Sequence, residues 1–192
     1  MRLQPLPLDQ LSGTQRTLHE NIQTGVQKYL KGFISQRADG ALIGPFIPIL
    51  HFPQFGGPAW DYTMALAENT TLPKPVHEVA ILVTGAHFHS RYEIYAHEHV
   101  AEKIGLSVSK IATITAGERP SDLSDEEGIA YDVASVLSKG GQLSEYTYQA
   151  ALKAFGEQGM AELVYLIGGY CLVSVMLNAY DISVPGREEG IG

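Results

Sequence analysis

The chain has 192 residues, 45% hydrophobic and 18% charged, a composition that suits one globular domain with its own apolar core and excludes a disordered chain. With 13 basic against 21 acidic residues the formal charge is −8, so most of the surface repels a phosphate backbone or an anionic membrane, and no nucleic-acid or membrane partner is expected. The lone Cys171 cannot make an internal disulfide, and Pro5 and Pro7 interrupt any apolar leader, so the chain reads as a cytoplasmic protein of a single domain, 1–192.

Leu18, Ile22, Val26, Tyr29, Leu30 and Phe33 recur mostly at steps of three and four, which predicts an amphipathic helix over 14–33. Asp39-Gly40 and Gly44-Pro45 mark a loop, a short apolar piece follows from Phe46 to Phe52, and Gly56-Gly57-Pro58 is expected to open a helix reaching about Asn69. Pro73 and Pro75 suit a helix start near Val76, although the β-branched residues that follow leave a strand open there. The next helix is expected from about Tyr92 to Gly105, and Ser107 is placed to cap another over Val108 to Gly117.

Ser124 and Glu127 have the spacing of a capping box at the head of a helix ending near Gly140. Ser144 can cap the next, to about Phe155, and a last helix runs from Met160 to Tyr180 before a loose tail at 185–192. Leu163 to Ala179 carries no charge, but it is shorter than the roughly 20 apolar residues a membrane span needs and reads as a buried helix at a subunit contact. No alternating strand with a hairpin turn occurs, so the expected class is an all-α, compact helical bundle.

Five of the seven histidines fall between His77 and His99, together with Glu78, Glu93, Glu98 and Arg91. On a helix Glu93 and His97 stand at i and i+4 and share a face, with Ser90 three residues before Glu93 at the helix entrance. A carboxylate beside an imidazole fixes the tautomer and raises the basicity of the ring, which suits a group that takes up and returns a proton. Glu78 lies on an otherwise apolar helix, where its charge needs a partner such as His97. His87 and His89 diverge on a helix and no His-Glu-x-x-His occurs, so no metal site is expected. Nor does a Gly-x-Ser-x-Gly elbow or a phosphate loop occur.

The segment Pro75 to Val83, followed by Tyr92 to Ala101 and Ile104-Gly105-Leu106-Ser107, resembles the carboxymuconolactone decarboxylase family, which also contains the AhpD-like alkylhydroperoxidases. Its pattern is a Glu on one helix, two positions three apart, a His four further on, and a Gly-Leu-Ser opening the next helix; Glu78, Ser90, Glu93 and His97 match that spacing. The peroxidase branch carries Cys-x-x-Cys where this chain has Ser90 and Glu93, so the dithiol route is not available. The decarboxylase branch often has Glu at the second position, and many members carry Arg where this chain has His77.

The resemblance implies an AhpD-like helical bundle, a homo-oligomer such as a trimer or hexamer, and a cofactor-free lyase acting on a small carboxylated or lactone-bearing substrate. His97 would be the proton donor, tuned by Glu93 or Glu78; Ser90 or Arg91 would hold a substrate oxygen, and Phe46, Phe52, Trp60 and Tyr92 would wall the pocket. Isomerisation, dehydration and ring opening need the same acid–base pair. A non-catalytic binding or scaffold protein is the alternative of a different class.

Overall fold

The computed structural model describes residues 1–186. Eight α-helices follow a short 3-10 turn at Leu8–Gln10: α1 (Gly13–Tyr29), α2 (Phe46–His51), α3 (Pro53–Glu68), α4 (Lys74–His87), α5 (Arg91–Lys103), α6 (Val108–Thr115), α7 (Asp125–Leu137) and α8 (Glu145–Ala179). Among the described residues the only β pairing is an isolated bridge between Gln36 and Leu42. The part of the expected tail from residue 187 onward lies outside the described residues.

The fold is organised around α4, which packs against α5, α6, α7 and α8. Ten of its 14 residues are buried, from Val76 to Ala86, and burying each large aliphatic side chain contributes about 1.5 to 3 kcal/mol. That gain outweighs the few tenths of a kcal/mol by which valine and isoleucine disfavour a helix, so the segment that could have been a strand is a core helix. Val79, Ile81, Leu82, Ile111, Val133, Leu163 and Leu166 form one apolar cluster across α4, α6, α7 and α8, while Leu18, Ile22, Phe46, Leu50 and Trp60 join α1, α2 and α3 in a second.

Several helix boundaries differ from their sequence expectations by up to four residues, those of α1 and α3 among them. Helix α1 ends at Tyr29 rather than Phe33: Leu30 leaves helical geometry at ψ 52° and Gly32 follows at φ 138°; Phe33 then packs edge-on against Tyr92, with ring centroids 6.4 Å apart. Helix α3 begins at Pro53 instead of Gly56, and Pro58 lies inside it. Proline at the first helical position loses no hydrogen bond there.

The capping expectations at Ser107, Ser124 and Ser144 correspond to side chains accepting the backbone N–H of Lys110, Glu127 and Thr147. Helix α8 is broken at Gly156, whose φ of 67° lies in the region only glycine enters without strain. This break separates the two helical segments expected from the sequence. By length and composition α8 could cross a membrane, but it packs against α3, α4 and α7 within the bundle. It also carries the buried Glu162, which accepts hydrogen bonds from the Thr71 and Leu72 amides at 2.6 and 3.2 Å and from the Thr70 and Thr71 hydroxyls at 2.5 and 2.7 Å.

Candidate active site

Residues of α1, α2, α3, α4, α5 and α8 line a partly open cavity of about 540 Å³, within the usual range for a small-molecule site. Helices α4 and α5 bring its three central polar groups together through a tight turn. His89 sits at φ 50°, its amide bonds the Ala86 carbonyl, and the Ser90 amide bonds the Gly85 carbonyl, each at 3.0 Å. This is a Schellman ending for α4 with His89 where glycine is usual, and it delivers Ser90 directly as the residue preceding α5.

Glu78 and His97 are both buried, and the His97 Nδ1 lies 2.8 Å from Glu78 Oε2. The other ring nitrogen, Nε2, faces Glu93 Oε2 at 3.6 Å, one helical turn earlier on α5. His77 Nδ1 stands 3.8 Å from the second Glu78 oxygen. Burial works against the Glu78 charge, but His97 and then His77 outweigh it and hold the carboxyl at about 2, far below its ordinary value of 4.5. Burial likewise opposes the charged form of His97, yet the Glu78 charge and hydrogen bond, with a smaller contribution from Glu93, raise the imidazole above its ordinary value. Both shifts favour the carboxylate form of Glu78 and the imidazolium form of His97.

Glu93 differs from both. Burial pushes its carboxyl up, the Glu78 charge adds to this, and His97 only partly opposes it. Among the described residues its Oε2 has no hydrogen-bond partner.

Phe46, Trp60 and Tyr92 line the cavity, as do Glu78, Glu93 and His97. The Phe46 and Trp60 rings meet edge-on at 5.9 Å, and the Tyr92 hydroxyl is committed to the Ile34 carbonyl at 2.7 Å. Gly44 permits this placement of Tyr92: a Cβ there would come within 2.3 Å of the ring, and its φ is 70°. Ser90 and Arg91, expected to hold substrate, do not line the cavity. The Ser90 hydroxyl is fully buried, whereas Arg91 is exposed and paired with Asp181 at 3.1 Å, because the first residue of α5 projects away from the face that carries Glu93 and His97. Phe52 also lies elsewhere, stacked on Tyr180.

Sequence reasoning missed the other face of the cavity. Tyr170 of α8 sets its ring edge-on to His97 with centroids 5.0 Å apart; burial, then the Glu93 and Glu78 charges, push its phenol well above the ordinary value. Lys28, Lys31 and Lys74 also line the cavity. Only the apolar spacing around Tyr170 was visible in the chain, and the three lysines come from separate segments with no shared motif. Cys171 does not line the cavity, and burial raises its thiol pKa. Among the described residues no group of three or more His, Cys, Asp or Glu side chains is placed to hold a metal ion; His87 instead packs on Phe88, and His99 Nδ1 bonds the Tyr95 carbonyl.

The bundle and its α4–α5 turn define an all-α AhpD-like fold. The chain is similar to the crystal structure of an alkylhydroperoxidase AhpD core, an uncharacterized peroxidase-related protein from Ralstonia eutropha JMP134, with a TM-score of 0.75 and 15% identity over 97% of this chain and 93% of that one. It is also similar to the apo debrominase Bmp8, with a TM-score of 0.71 and 12% identity over 95% and 91% of the two chains. A cysteine-to-alanine variant of that debrominase in complex with 2,3,4-tribromopyrrole gives 0.73 and 12% over 97% and 92%. At these identities the likeness establishes the fold. No family model matches the chain, and no curated protein matches its sequence.

Proposed function

We propose that this protein is a cofactor-free acid–base lyase of the carboxymuconolactone decarboxylase kind, acting in the cytoplasm on a small carboxylated or lactone-bearing molecule. The observation that carries the reading is the buried Glu78–His97 pair with Glu93 beside it, whose Oε2 accepts no hydrogen bond, at a cavity walled by Phe46, Trp60 and Tyr92. Loss of CO₂ leaves an electron pair on carbon that must be stabilised and then protonated, and a buried cation beside a buried acid can do both. Lys28, Lys31, Lys74 and His77 put basic groups around the same cavity in a chain of net charge −8, which favours entry of an anion. A thiol route finds no support, since the only cysteine lies outside the cavity lining.

The test is a mass-spectrometric screen of small aromatic and alicyclic carboxylates and lactones incubated with the protein. The expected outcome is loss of CO₂ from at least one carboxylate and loss of that turnover in Glu78→Gln. Turnover that persists unchanged in Glu78→Gln would remove the pair from the chemistry.

We also propose that copies of the chain associate through α8. Val164, Tyr165, Leu172 and Val175 are exposed at helical spacing. The stripe carries no Asp, Glu, Lys, Arg or His side chain, so two acidic copies repel each other least there.

A further inference from the structure

Three helices open on a Ser-x-x-Gln/Glu sequence, and only two of them make the reciprocal cap. At α1, the Ser12 amide donates to Gln15 Oε1 at 2.9 Å and the Gln15 amide to Ser12 Oγ at 3.4 Å. At α7, the Ser124 amide donates to Glu127 Oε2 at 2.9 Å and the Glu127 amide to Ser124 Oγ at 3.2 Å. At α5, neither bond forms. The Ser90 amide is already committed to the Gly85 carbonyl by the ending of α4, and Ser90 takes ψ 94° where Ser12 and Ser124 have 168° and 166°. Both would-be partners, Ser90 Oγ and Glu93 Oε2, are buried with no hydrogen bond among the described residues. A reciprocal cap is the default for this sequence; here the backbone withholds it and leaves a carboxyl oxygen without a hydrogen bond within the cavity lining.

His97 is less free than Glu93. Its Nδ1 is hydrogen-bonded to Glu78, whereas its Nε2 and the Glu93 Oε2 face each other at 3.6 Å without a hydrogen bond, so only the imidazole is already committed. From this geometry we infer that Glu93, not His97, is the catalytic group that hands a proton to the bound molecule, with His97 and Glu78 as positioning residues that steady the carboxylate left behind. The inference rests on the lyase reading of the same cavity and assigns its proton. When the bond to CO₂ breaks, its electron pair stays on the substrate carbon and forms a C–H bond with the Glu93 proton. The resulting Glu93 carboxylate faces the His97 imidazolium and regains its proton from water. The charged and titratable groups around Glu93 are His97 on its own helix, Glu78 and His77 on α4, Tyr170 on α8 and Tyr92, with Lys28, Lys31 and Lys74 elsewhere in the lining.

The experiment combines two readouts. First, carboxyl-¹³C NMR of glutamate-labelled protein, assigned with Glu93→Gln and Glu78→Gln, follows both groups through a pH titration without any substrate. The expected result is a Glu93 resonance that titrates above the ordinary carboxylate range while Glu78 stays ionised; a Glu93 resonance fully ionised at pH 5 would overturn the inference. Second, on any carboxylate that the screen shows to be turned over, Glu93→Gln lowers kcat by about 100-fold or more, whereas Glu78→Gln and His97→Gln also displace the pH profile of the residual activity. Turnover of parent rate and pH profile in Glu93→Gln sinks this inference and leaves the lyase reading standing. A screen without turnover, beside the expected titration, sinks the lyase reading and with it the catalytic assignment.

Discussion

Glu78 Oε2 and His97 Nδ1 lie 2.8 Å apart across 19 residues of sequence, both buried, on the two helices joined by the Schellman turn at His89. Their attraction contributes to stability over a bounded pH range. Glu78 is held at about 2 against an ordinary 4.5, so its contribution is complete above 4.5 and is lost as the pH falls toward 2. His97 is raised above 6.5, so its contribution is complete below 6.5 and is lost as the pH rises through its folded value. Urea unfolding is therefore expected to show the pair at full strength between 4.5 and 6.5. Glu78→Gln should cost about 3 to 5 kcal/mol there, the penalty for leaving one buried partner, and should flatten the acid limb. Parallel pH curves for parent and variant would show that the pair does not govern stability.

His89 pays a backbone cost for the turn that frees Glu93. A non-glycine residue in the left-handed region loses about 1 to 2 kcal/mol, and the His89 side chain is exposed. His89→Gly is expected to raise stability by about 1 kcal/mol and to leave the Glu78–His97 distance unchanged. Thermal melts check the first point and a crystal structure of the variant the second; an unchanged or lowered midpoint would mean that the imidazole stabilises the turn.

Glu162 ties α8 to the segment entering α4 through the Thr71 and Leu72 amides. Hydrogen bonding holds its carboxyl below the ordinary value in spite of burial, so this contribution is present above 4.5 and lost on acidification. Glu162→Gln should cost about 2 to 3 kcal/mol at neutral pH, as hydrogen bonds to a charged group are replaced by weaker ones. It should also loosen the cavity, because Thr70 and Leu72 line it. Hydrogen exchange at the Thr71 and Leu72 amides reads this directly, and protection equal to the parent's would refute the anchoring role.

The exposed stripe of α8 makes the assembly state testable. Sedimentation of the parent should give a mass above the 20.9 kDa of one chain, and Leu172→Glu should move it back toward that value without loss of helicity. A parent that sediments as one chain would show that the stripe has no second copy to meet.

Much of this was legible in the chain itself. The periodicity of Leu18, Ile22 and Val26 specified a helix, Ser124 with Glu127 specified a cap, and Glu93 with His97 had to share a face, because these are relations between residues within a few positions of one another. A lone carboxylate on apolar α4 likewise required a partner, since an uncompensated buried charge is too costly. Packing over long sequence separations decided the rest. Lys28, Lys31, Lys74 and Tyr170 reach the cavity from α1, the segment after it, α4 and α8, and no local pattern encodes such a convergence. The fate of Ser90 and Glu93 was also beyond the sequence: the same Ser-x-x-Glu that closes on itself at α7 stays open at α5, because a backbone amide can be donated fully only once and the end of α4 had already taken it.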